Sequence, residues 1–151
     1  MSYYSFLSTS GHFLSALNEK ELAEAFENYK KKLLEDDDLW KGLEAAHLVK
    51  YGFRLEGTED NLYRYELTCE CDEFFNTHYA DERLAEFISK VIAKGYFCLY
   101  FDGQDDTDWG WFITPGSVRS IKYFPKVFDR DKGEYIDLDE ACKAASMEEE
   151  K

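Results

Sequence analysis

No apolar run in this 151-residue chain approaches the roughly 18 residues that a membrane-spanning helix needs. The opening Met1-Ser2-Tyr3-Tyr4 carries no positively charged region leading into an apolar one. Neither a secretory leader nor a membrane span is expected, so the chain reads as soluble and cytoplasmic. Basic residues are scarce: 18 Lys and Arg stand against 32 Asp and Glu, a formal charge of -14. Like-charge repulsion then disfavours direct binding to DNA, RNA or an anionic membrane over most of the surface. The sequence also lacks a G-x-S-x-G turn, an H-E-x-x-H helix and a Gly-rich phosphate loop. No catalytic residue and no cofactor are expected on these grounds. Cysteines are few, and Cys69, Cys71, Cys98 and Cys142 lie mostly within apolar patterning. That placement suits buried free thiols in a reducing compartment.

What is present is an aromatic-rich interior. Aromatic residues make up 17% and apolar residues 44% of the chain, too much for a disordered polymer despite the charge. The length suits one domain spanning 1–151 with a core that needs no metal or disulfide, and with a frayed tail over 147–151. The chain is organised around residues 95–124. Six consecutive apolar residues, Tyr96-Phe97-Cys98-Leu99-Tyr100-Phe101, bounded by Gly95 and Asp102-Gly103, suit a strand covered on both faces. The acidic stretch 102–108 reads as a hairpin loop, after which Trp109, Trp111 and Ile113 alternate at strand period. Pro115-Gly116 signals a second turn, followed by a strand over 117–124, and the three strands form a meander.

Upstream, residues 3–7 read as a short edge strand ended by Ser8-Thr9-Ser10-Gly11. Asn18 with Glu21 offers a capping box to a helix whose Leu22, Ala25, Phe26, Tyr29 and Leu33 share one face. Lys30, Lys31 and Lys32 fall in its last turn, where cations suit the helix dipole. The acidic run 35–38 links it to a second helix over 39–51, with Trp40, Leu43 and His47 on one face and Gly52 as its stop. His47 is favoured as a residue at the core margin, since no Cys, His or Ser stands beside it at motif spacing. Residues 53–60 read as a turn-rich connection with at most a few strand residues. Strict alternation over 62–71 then describes a half-buried strand with Tyr63, Tyr65, Leu67, Cys69 and Cys71 on one side. A helix over 79–94 carries Leu84, Phe87, Ile88, Val91 and Ile92 on one stripe and stops at Gly95. Strand, helix and strand in that order predict a right-handed β-α-β crossover, with strands 63–71 and 96–101 parallel in one sheet. A turn at Asp129-Arg130-Asp131-Lys132-Gly133 precedes a last helix, for which Asp137 and Glu140 supply a capping box. The fold expected is α+β: a single domain with a mixed sheet of about four strands packed against three to four helices.

Two clusters have the residue types of metal ligands. Asp102, Asp105, Asp106 and Asp108 supply hard oxygen donors, but the spacing does not fit a calcium loop, and a solvated hairpin tip is preferred. Cys69-Glu70-Cys71 near His78 lacks a second pair to complete a zinc site, so core packing is preferred. No metal is expected.

The more informative pattern is that nearly every loop or element end is acidic while lysines gather on the first helix. Carboxylates spaced along a folded surface imitate a phosphate array to a protein that binds nucleic acid, although the same acidity also serves simply as a solubilising coat. The leading expectation is an acidic, non-catalytic binding protein that occupies a basic, nucleic-acid-binding surface of a partner. By analogy of charge and size, inhibitors carried by phages and mobile elements against host defence are one setting for it. Its contact residues would be Asp102, Asp105, Asp106 and Asp108, with Trp109 and Trp111 as aromatic anchors, a role that competes with core packing for both tryptophans. Two alternatives stand beside it. One is an interaction or homodimerisation domain using an apolar patch, and the other is a small enzyme with an acidic cleft.

Overall fold

The structure, a computed structural model, describes residues 5–35, 45–46, 48–69, 81–103, 108–122 and 126–149, the side chains of 5–8, 81, 102–103, 108, 122 and 147–149 excepted. It is α+β, as expected, but the strands divide between two sheets. The larger sheet is built from β1 (Ser5–Thr9), β6 (Phe97–Gly103), β7 (Asp108–Thr114), β8 (Ser117–Lys122), β9 (Lys126–Asp129) and β10 (Glu134–Asp137), adjacent in that order. The smaller is β3 (Tyr51–Glu59), β4 (Leu62–Cys69), β2 (His12–Ser15) and β5 (Ile92–Lys94). Every pairing is antiparallel. The described helices are α1 (Glu19–Glu35), α2 (Asp81–Val91) and α3 (Leu138–Glu149). Residues 45, 46 and 48 are also helical, while most of the helix expected over 39–51, with Trp40, Leu43 and His47, lies outside the described residues.

The two sheets share one bent ribbon. β1 pairs with β6 in the large sheet, and their chain neighbours β2 and β5 pair in the small one. Both chains turn the corner at glycine, Gly11 at φ 115° and Gly95 at φ 77°, conformations open to a residue without Cβ. Ser10 pins the corner: its N–H donates to the Cys98 carbonyl at 3.1 Å, and its Oγ accepts from the Cys98 N–H at 2.9 Å. Strands that switch sheets through a bend are how two sheets close around a core.

This corner replaces the predicted β-α-β crossover. α2 ends at Val91 and the chain continues at once as β5 beside β2, so β4 and β6 fall in different sheets and are not parallel neighbours. The helix is correspondingly shorter than 79–94. The short β2 escapes a periodicity argument because four residues carry too little pattern. Residues 53–60 are likewise strand, not connection: β3 absorbs Gly57 in a bulge at φ 148°. It then returns through Asp60 and Asn61 at φ 52° and 66°, a two-residue turn of the type that matches strand twist.

The main core lies between the sheets and under α1 and α2. Phe13 of β2 joins the layers, with ring centroids 5.3 Å from Phe97, 5.7 Å from Phe53 and 5.9 Å from Tyr65. Phe26 of α1 and Phe87 of α2 meet at 4.8 Å, and both reach Phe53. The expected face of α1 is buried at Leu22, Phe26 and Leu33. Its capping box is formed, Glu21 N–H donating to Asn18 Oδ1 at 2.8 Å and Asn18 N–H to Glu21 Oε1 at 3.0 Å. On the opposite face of the large sheet, Cys98, Phe112, Ile121 and Val127 pack with Ala141 and Ala145 of α3 as a second core. β6 and β7 are therefore covered on both faces, which explains their continuous apolar sequence. The meander through Pro115-Gly116 is present, and Gly116 N–H donates to Ser89 of α2 at 2.8 Å. The carboxylates expected to cap α3 are engaged elsewhere, Asp137 with Lys126 at 2.6 Å and Glu140 with Lys132 at 3.5 Å.

Cysteine chemistry is mixed. Cys98 is a buried free thiol and Cys142 a half-buried one, but Cys69 is disulfide-bonded, which corrects the expectation of free thiols throughout. Regular strand alternation, on which that expectation rested, places a sulfur without determining what it bonds to.

Two outcomes follow from this packing. A Cβ at Gly110 would run into the Leu99 carbonyl oxygen across the β6–β7 pairing and press on Ile121. Gly110→Ala should therefore cost about 1–3 kcal/mol in denaturant unfolding, as for other overpacked interiors. Burial pushes the Cys98 thiol from 9.0 up to about 12. The folded state thus holds this proton more tightly, so the contribution is intact below about pH 9 and is lost as pH rises toward 12. Stability measured between pH 8 and about 11 should fall, and fall less steeply in Cys98→Ala.

Candidate functional site

The β6–β7 hairpin presents the residues singled out by sequence. Phe101 and Trp109 are opposite one another, and their rings stack at 5.3 Å and 11° between planes. One step further out, Asp102 and Asp108 are opposed in register. Asp105 and Asp106 belong to the connection 104–107, outside the described residues. The hairpin therefore closes on two opposed aspartates with two more in the intervening sequence. Strand pairing runs out to Asp102 and Asp108, so the connection is shorter than the loop 102–108 expected from composition. Trp109 and Trp111 are half-buried and pack against the main core, with Trp111 opposite Leu99. Their alternation with buried Phe112 follows from the two-faced burial of β7.

Opposed like charges on a strand pair raise the energy of the free hairpin. Asp102 and Asp108 are opposed in register at the end of the β6–β7 pairing, one step beyond the stacked Phe101 and Trp109.

Sequence reading missed a second polar constellation, on the face of the small sheet away from the main core. His12 of β2 is opposite Glu66 of β4, and Arg54 of β3 is opposite Glu66 on the other side. Glu56 stands two residues along β3. The Arg54 guanidinium donates from Nε to Glu56 at 2.6 Å and from Nη2 to Glu66. The neighbouring Glu66 side chain and the Arg54 guanidinium hold Glu56 below the usual carboxylate range. The outward-facing Arg64 and Glu66 were legible from the alternation of β4. Their companions were not, because β2 and most of β3 were not recognised as strands. The other candidate ligand set, Cys69-Glu70-Cys71 with His78, lies outside the described residues apart from the disulfide-bonded Cys69.

No protein-family model, curated protein or solved structure matches this chain significantly. Function is accordingly argued from the sites themselves. If the opposition of Asp102 and Asp108 carries the cost described, Asp108→Asn should raise unfolding stability by about 0.2–1 kcal/mol at low salt. That gain should shrink as added salt screens the pair. Chemical denaturation at two ionic strengths measures both.

Proposed function

We propose that the chain is a non-catalytic acidic binding protein that docks anionic loops on a basic, nucleic-acid-binding surface of a partner protein and blocks that surface. The observation that carries this reading is the location of the surplus charge. Against 18 basic residues the chain carries 32 acidic ones, and these cluster in sequence at 35–38, 56–60, 70–73, 102–108, 134–140 and 148–150.

Some described carboxylates pair with nearby cations, as in Glu27 with Lys30 at 2.7 Å, Glu86 with Arg83 at 2.9 Å and Asp60 with Lys94 at 3.3 Å. Carboxylates clustered along the sequence in this way are suited to a basic partner.

The alternative of an apolar interaction patch has less support. Among the described residues the large apolar side chains with high exposure are Leu34 at 62% and Val49 at 64%, little area for a hydrophobic interface.

Immobilised protein should retain basic nucleic-acid-binding proteins from a cell lysate at about 0.1 M salt and release them near 1 M, where screening is nearly complete. Duplex DNA should compete for the same proteins. The variant with Asp102, Asp105, Asp106 and Asp108 all changed to Asn should retain markedly less. Retention that ignores both salt and the four substitutions would overturn the reading.

A further inference from the structure

We propose that His12, Glu56 and Glu66 form a binding site for a divalent transition-metal cation of zinc's class on the open face of the four-stranded sheet. One imidazole nitrogen and two carboxylate oxygens, drawn from three neighbouring strands, lie within 4.8 Å of one another. This donor set suits zinc, which takes nitrogen and oxygen at about 2.0–2.2 Å in a tetrahedron. Tetrahedral donors around such an ion are separated by about 3.3–3.5 Å, so side-chain rotation on an open surface brings these three to bonding distance. The fourth position faces solvent.

Backbone register supplies the preorganisation. His12 and Glu66 are held opposite one another by the β2–β4 pairing, and Glu56 lies in the bulge between Leu55 and Gly57, just beyond Arg54, which is opposite Glu66 in the β3–β4 pairing. A second observation points to a cation independently of the donor set. Two carboxylates with oxygens within 4.8 Å of each other repel unless a positive charge lies between them, and the Arg54 guanidinium occupies that position, bonded to both. Arg54 is 65% exposed, so its ion pairs are solvated and of the weak, displaceable kind. The other cations on this face have partners of their own: Arg64 is 4.0 Å from Glu59 and Lys94 is 3.3 Å from Asp60. Among the described residues the metal therefore competes with Arg54. Arg54 acts as the built-in counter-ion of the empty site, and it swings outward when the metal enters.

This arrangement gives Arg54 and His12 opposite roles, which a non-specific acidic surface would not do. Titration of the full chain with zinc chloride, followed by calorimetry, should show a site lost in His12→Ala and in Glu56→Gln. Affinity should weaken at least about tenfold in each, in line with loss of one ligand of three. Arg54→Ala should instead bind zinc several-fold tighter, because the competing cation is gone. His12 and Arg54 are exposed, so neither substitution threatens folding. In the presence of cobalt(II), visible absorption from nitrogen and oxygen coordination should appear in the wild type and vanish in His12→Ala. Zinc binding of equal strength in the wild type and His12→Ala, or an Arg54→Ala variant that binds no tighter than the wild type, would overturn the proposal.

Discussion

The corner at Ser10-Gly11 and Gly95-Tyr96 is the constraint on which the rest of the architecture rests. A flat ribbon of β1–β2 against β5–β6 would leave its apolar face in water along its whole length. Bending at two glycines lets one ribbon serve two sheets, and it turns Phe13 and Phe97 toward each other at 5.3 Å. The bend itself is secured by local hydrogen bonds, since Ser10 satisfies both backbone groups of Cys98 that the change of sheet would otherwise leave unpaired. Burying an aromatic side chain contributes a few kcal/mol, so the ring network around Phe13 has the magnitude to hold this geometry once the glycines permit it.

From that corner follow the two cores. The large sheet has the small sheet, α1 and α2 on one side and α3 on the other, and its central strands accordingly present apolar groups in both directions. β7 illustrates the cost of such packing: Gly110 is required because the Leu99 carbonyl and Ile121 leave no space for a Cβ. The outer strands β9 and β10 are short, joined by a turn in which Asp129 accepts from the Asp131 and Lys132 N–H groups.

Acidic residues outnumber basic ones by 32 to 18, and exposed ion pairs such as Glu27 with Lys30 and Glu86 with Arg83 contribute little to stability individually. The small sheet's outer face follows a different logic. There carboxylates converge from adjacent strands, and an arginine shared between them stabilises the convergence.

Much was legible before any coordinates. The capping box of α1 and its apolar stripe, the alternation of β4, the two-faced β6, the meander through Pro115-Gly116 and the turn ending at Gly133 all depend on interactions within a few residues, so their signals are contained in the local sequence. β2, β5, β9, β10 and the full extent of β3 were not legible. Each is a short or bulged strand whose existence depends on a partner distant in the chain, and four residues of pattern cannot announce that partner. The same reason concealed the His12, Glu56 and Glu66 constellation, which exists only through the register of three strands. By itself the sequence determined an α+β chain with an aromatic interior and a large acidic surplus, because burial and charge are sums over residues. The tertiary structure alone decided that the strands form two antiparallel sheets bent from one ribbon, and which charged groups stand together, because pairing between distant segments is chosen by the packing of the whole.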